Sequence, residues 1–131
     1  MRIALLVVAG LALIGFLMVA VVLPHQAGVD AKVAALVLIS GADPAKQEVS
    51  ANAEKTGNLA GAGSGIKLAA RNDPKHGELK WIVFENGDIR GWNEKNALEV
   101  TLKPTLHAGK AAWSCKGYPV DAMPPNCGGR L

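Results

Sequence analysis

Residues 98–127 read LEVTLKPTLHAGKAAWSCKGYPVDAMPPNC, and the organisation of the chain turns on them. Leu98, Val100 and Leu102 alternate with Glu99 and Thr101, the period of a strand with one apolar and one polar face. Pro104 ends that strand or confines it to a sheet edge, because it has no N–H for a ladder. Past His107-Ala108-Gly109, KAAWSC from Lys110 to Cys115 reads as a last strand. Cys115 and Cys127 then bracket a segment with three prolines, which cannot be regular helix or strand. A disulfide would close this loop of about 13 residues and restrict the unfolded chain by roughly 3 kcal/mol. The competing reading is a zinc site, but zinc takes four ligands as a rule and no histidine stands at zinc-motif spacing.

Upstream, Leu79, Trp81 and Val83 alternate with Lys80, Ile82 and Phe84. Asn86-Gly87 follows, a strong hairpin-turn signal, and Ile89-Arg90-Gly91-Trp92 returns. Sequential strands of this kind predict an antiparallel meander of three to four strands. Such a sheet has one face to cover, and the element available is a helix on its N-terminal side. Val29, Val33, Leu36, Val37 and Ile39 or Ser40 recur there at three- and four-residue steps, a helical period. Gly57-Asn58 marks its C-terminal stop. Pro24 and Pro44 fall inside the pattern and predict bends, and Asp43 can instead open a new segment with Pro44 in its first turn. Residues 58–65, NLAGAGSG, read as a connecting loop; a phosphate-binding loop fails on context, with no Gly-Lys-Ser/Thr after it and no strand before it.

Hydrophobic residues make up 50% of the 131-residue chain but aromatics only 5%, because much of the apolar excess precedes residue 24. Residues 3–23 contain no charged or strongly polar side chain. At about 1.5 Å per residue a helix of this stretch crosses a hydrocarbon core of roughly 30 Å. Arg2 is the one charged side chain before it, so the positive-inside bias puts the N-terminus in the cytoplasm and the rest in the periplasm. A cleaved signal peptide is the alternative, with Val29-Asp30-Ala31 as a small-residue site, although the apolar run exceeds the usual h-region. Either reading exports the cysteines to an oxidising compartment. The expected organisation is a transmembrane helix over 1–23, an amphipathic continuation over 24–57, a linking loop over 58–77, and an antiparallel sheet with a disulfide-bounded loop over 78–131. The fold class is α+β, a lollipop with the sheet against the distal half of the helix.

Little in the sequence points to catalysis, a metal or a cofactor, and no enzyme is expected. His25, His76 and His107 fall in different elements, with no nucleophile, base and oxyanion site grouped around any of them. Asp73, Glu78, Glu85, Asp88 and Glu94 lie in polar, turn-rich surroundings that suit solvated surface charge. Trp81, Trp92 and Trp113 read as core and strand-face residues sooner than as a stacking platform. The net charge of +3 comes from lysines spread along the chain, which excludes a firm nucleic-acid assignment.

Taken together, TLKPTLHAGKAAWSCKGYPVDAMPPNC over 101–127, the pair Pro24 and Pro44, and AKVAALVLISGADPAKQEV over 31–49 resemble the type IV pilins, especially the major pilins of Gram-negative bacteria. The resemblance implies a structural subunit whose N-terminal helix packs with other pilin subunits, in the inner membrane before assembly and in a pilus after it. It also implies a sheet and a Cys115–Cys127 loop displayed for adhesion, twitching motility and, in some members, DNA uptake. At the N-terminus the chain departs from that pattern. Gly15-Phe16 is followed by Leu17, Met18, Val19 and Ala20, with no acid before Asp30 and no charged leader, where pilins carry a leader peptide and a glutamate early in the mature chain. That departure predicts retention in the membrane without processing, as in a divergent or accessory pilin, a degenerate copy that never assembles, or a chain whose start is frameshifted or misassigned. The rival reading is a membrane-tethered periplasmic module that holds DNA or a surface receptor and does not polymerise.

Overall fold

The computed structural model describes residues 23–129, with side chains in the first helix described from Val29 onward. The chain divides between Asp30 and Ala31 into two units, of which the second carries the whole sheet. The architecture is α+β. Helix α1, Leu23–Ser40, is followed by α2, Asp43–Thr56, and then by five strands: β1 Arg71–Asp73, β2 Gly77–Val83, β3 Ile89–Asn93, β4 Leu98–His107 and β5 Lys110–Tyr118. They form one antiparallel sheet in the order of the sequence. The expected membrane segment, 1–23, lies outside the described residues except for Leu23, and Pro24 stands at their limit. Among the described residues no helix is long and apolar enough to cross a membrane.

Pro44 explains the break between the helices. Proline in a helix interior lacks the N–H for its i−4 carbonyl and crowds that carbonyl, a cost of about 3 kcal/mol, whereas the first turn tolerates it. The chain accordingly ends α1 at Ser40, turns through Gly41 and Ala42, and restarts at Asp43 with Pro44 in the first turn. In the turn the Ala42 N–H donates to the Ile39 carbonyl at 3.1 Å, leaving the Leu38 carbonyl without its helical donor. The Trp81 indole fills that place, its Nε1–H donating to Leu38 O at 2.9 Å. The indole lies between Gly41 and Gly91, where side chains would collide with it: an added Cβ would stand 2.3 Å from Cζ2 at Gly41 and 2.8 Å from Cδ1 at Gly91. At its far end α2 stops as expected at Gly57, whose φ of 71° is left-handed and whose N–H donates to Ala53 O.

The buried helix face overlaps only in part with the one traced by the aliphatic residues: Val37 and Ile39 pack half-buried against the core, while others of that set do not. Ala34, Ala35, Leu38, Ala42, Ala45, Val49 and Ala53 are fully buried or nearly so and join Leu79, Trp81, Ile89, Leu98, Val100 and Leu102 in one core. Val33 and Leu36 are 38% and 53% exposed, and Val29, in the first unit, is exposed too. Alanine lets a helix approach a sheet closely, so the sheet has taken the face of Ala34, Ala35 and Leu38, with Val37 and Ile39 at its border, and left Val33 and Leu36 outside.

The sheet has five strands, against an expectation of three to four. The extra strand, Arg71–Asp73, falls in the stretch read as a linking loop, because its residues are polar and two of the three are exposed, with no alternation to reveal them. The rest of that stretch is tied down: Asn52 Nδ2 donates to Ala62 O at 3.1 Å, Gly63 N–H donates to Glu85 O at 3.0 Å, and Ala62 and Ile66 are buried. Asn86 and Gly87 do turn a hairpin between β2 and β3. Gly87 has φ 91° and donates its N–H to Phe84 O, and the Phe84 N–H donates to Asp88 O, the pattern of a three-residue loop with the glycine in the left-handed position. Pro104 sits within β4, which continues to His107. It is tolerated because β3 pairing ends at Leu102, so beyond that point β4 has only β5 beside it.

Candidate functional site

Cys115 and Cys127 are joined in a disulfide, with Cα atoms 4.4 Å apart. Cys127 is fully buried and Cys115 packs against the core. The segment between them is only partly a loop. Its first part continues β5 through Tyr118, and two 3-10 turns, Val120–Ala122 and Pro125–Cys127, bring the chain back. Ala122 and Met123 are buried, and the Met123 sulfur occupies the space that a side chain at Gly117 would fill. Lys116, Tyr118, Asp121, Pro125 and Asn126 remain exposed. Tyr118 is 72% exposed and stands on the sheet face turned away from the helices.

That outer face gathers residues from three strands. Across the register Arg90 on β3 lies opposite Thr101 on β4, and Thr101 lies opposite Lys116 on β5. One step along, Lys103 lies opposite Ser114; in the other direction Trp92 faces Glu99 and Glu99 faces Tyr118. An open concavity of about 530 Å³ is lined by Arg90, Glu99, Thr101, Lys103, Ser114, Lys116, Gly117 and Tyr118. Arg90 pairs with Glu99 at 3.1 Å, but among the described residues no carboxylate lies within salt-bridge distance of Lys103 or Lys116. Lys103 and Lys116, well apart in the sequence, are therefore brought with Arg90 to one face by the fold. The alternation in β4 and β5 shows which side chains share a face, but the register that puts Lys116 beside Thr101 is not written in either strand alone.

The other candidates disperse. Trp81 and Trp113 point to the helix side, the latter donating its Nε1–H to Ser50 Oγ at 2.9 Å beneath the Lys46 ammonium, while Trp92 is on the outer face, so the three indoles form no single platform. His76 is buried in the β1–β2 turn with its Nδ1 unpartnered, and His107 is exposed at the end of β4. Asp73 accepts the N–H groups of His76 and Lys75 on Oδ1 at 2.9 and 2.8 Å. These bonds, with His76 the larger, hold its carboxyl below the ordinary range. The buried polar side chain Asn93 is bonded on both sides, giving its amide hydrogens to His76 O and Glu78 O and accepting from Asn96. Among the described residues no group of three or more His, Cys, Asp or Glu side chains could hold a metal ion. No protein-family model, curated protein or solved structure matches the chain.

Proposed function

We propose that the protein is a type IV pilin-like structural subunit, held in the bacterial inner membrane by the segment before residue 24, with its sheet domain in the periplasm. The observation that carries this reading is the division of the helix: alanines and Leu38 go to the sheet, whereas Val33 and Leu36 are left at 38% and 53% exposure. An aliphatic helix face of this kind gains free energy when it leaves water, at about 25 cal/mol per Å². A helix of another subunit is the partner that offers a matching surface. The β-meander and the disulfide that ties its last strand to the C-terminal segment agree with the resemblance carried by residues 101–127. On this reading the protein acts by assembly and display rather than by turnover.

The test is photo-crosslinking in native membranes, with a benzoylphenylalanine placed at Leu36 and, as control, at Asn126 on the opposite end of the chain. Crosslinked species at multiples of the subunit mass from position 36 alone support subunit packing through the helix. Only monomer at both positions, with the protein present at normal level, rejects it. Intact mass with and without reductant, measured on the same membranes, reports whether the N-terminal segment is removed.

A further inference from the structure

The geometry points to a binding site for an acidic saccharide, bearing a carboxylate or sulfate, on the outer sheet face around Thr101. Arg90 and Lys116 flank Thr101 across the register on its two sides, and Lys103 follows on the same face of β4. Adjacent strands stand about 4.8 Å apart, so these three long cationic side chains can converge on one anionic group above Thr101. Of the three cations only Arg90 has a counter-ion there, in Glu99. The unmatched charge belongs to Lys103 and Lys116. Hydroxyls of Thr101 and Ser114 lie in the same concavity, as hydrogen-bonding groups for a polyol.

Tyr118 supplies the second half of the site. It follows Lys116 on the same face of β5, about 7 Å along the strand, and its ring is 72% exposed. A pyranose resting its C–H face on that ring would carry a ring carboxylate or O-sulfate toward Lys116 and Arg90.

The charge map favours this compact ligand over a single-stranded nucleic acid. A polyphosphate needs a cationic track, and here acids interrupt it: Glu99, paired with Arg90, lies within the concavity opposite Tyr118, Glu85 and Asp88 border Lys103 and Arg90 in the concavity at the β2–β3 turn, and Glu94 borders Trp92 at the β3–β4 turn. The site stands apart from assembly through the helix and does not rest on it.

The full chain in neutral detergent is titrated by calorimetry with a sulfated glucuronate-containing disaccharide, the neutral disaccharide of the same linkage, inorganic sulfate, and an oligothymidylate of about 12 nucleotides. The sulfated disaccharide is expected to bind and the neutral one not to. The double variant Lys103→Gln, Lys116→Gln should weaken it by about tenfold or more, while Lys103→Arg leaves it within about twofold. Tyr118→Ala should weaken the disaccharide and leave sulfate binding unchanged. All these side chains are surface groups, and an unaltered melting temperature checks the fold; should the double variant unfold, Tyr118→Ala decides by the same criterion. No binding of the sulfated disaccharide, affinity for sulfate equal to that for the disaccharide, or tighter binding of the oligothymidylate each overturns the proposal.

Discussion

Replacing Gly41 with alanine sets two physical effects against each other, and the structure says which prevails. In an open helix turn the change would stabilise the protein by about 0.4–1 kcal/mol, because alanine restricts the unfolded chain more than glycine does. Here the new methyl would stand 2.3 Å from Trp81 Cζ2, 2.9 Å from Cη2 and 3.2 Å from Cε2. The indole has to retreat by about 1 Å to restore ordinary contact of roughly 3.5 Å. It is held against retreat by the bond from Nε1 to Leu38 O and by Gly91, whose backbone packs against Cδ1 and Nε1 on the other side. Overpacking of this kind costs about 1–3 kcal/mol, and loosening the buried hydrogen bond adds about 1 kcal/mol. The net expectation is a loss of about 1–3.5 kcal/mol, or a fall of about 5–25 °C in Tm for a domain near this size. Thermal unfolding followed by near-ultraviolet circular dichroism, which reports the indole environment, measures it. Repeating the change in a Trp81→Phe background supplies the second leg of a double-mutant cycle, in which Gly41→Ala becomes neutral or favourable once Cζ2 is absent. A Gly41→Ala protein as stable as its parent, or equal costs in both backgrounds, would refute the account of the helix break as a seat for Trp81.

Three further outcomes follow from local geometry. Ala108 holds φ at 51° in the β4–β5 turn beside Gly109 at 77°, so Ala108→Asn, which suits the left-handed region, should raise stability by about 1 kcal/mol in a thermal melt, and no change would mean the turn is unstrained. Reduction of Cys115–Cys127 should cost roughly 3 kcal/mol in urea unfolding, since it frees the C-terminal segment and exposes Met123 and Cys127. Asp73 is held below its ordinary pKa in the folded state, so its contribution is present above the unfolded value near about 4 and is lost as pH falls through the lower folded value. Asp73→Asn should flatten that part of the stability profile while keeping an oxygen for the His76 and Lys75 N–H groups; an unchanged acid limb would show that the carboxylate carries none of it.

Local rules covered most of the fold because each involved residue acts on its near neighbours. Asn86-Gly87 turns the hairpin, Pro44 restarts the helix, Gly57 ends it, and the alternation over 98–102 divides the buried from the exposed side chains, all within a few residues. Strand β1 escaped because Arg71, Asn72 and Asp73 bury almost nothing and pair with Leu79, Glu78 and Gly77 through the backbone, which no side-chain pattern records. The cationic cluster escaped for a different reason. Arg90, Lys103 and Lys116 are spaced 13 residues apart, and only the register of two ladders makes them neighbours.

On the helix the periodicity was real, but the buried side is shifted from it: Val37 and Ile39 pack against the core while Val33 and Leu36 do not. Val33 and Leu36 are more hydrophobic than Ala34 and Ala35, and transfer free energy alone would bury them first. Packing against a sheet that already presents Trp81, Leu79 and Ile89 leaves little volume, and the two alanines with Leu38 fill it without strain. A pattern of hydrophobicity therefore identifies that a face will be buried somewhere, while side-chain volume decides which face the chain buries in itself. The exposed pair Val33 and Leu36 is then a property of the sequence that the single chain does not satisfy, which is the physical reason for seeking its complement on another subunit.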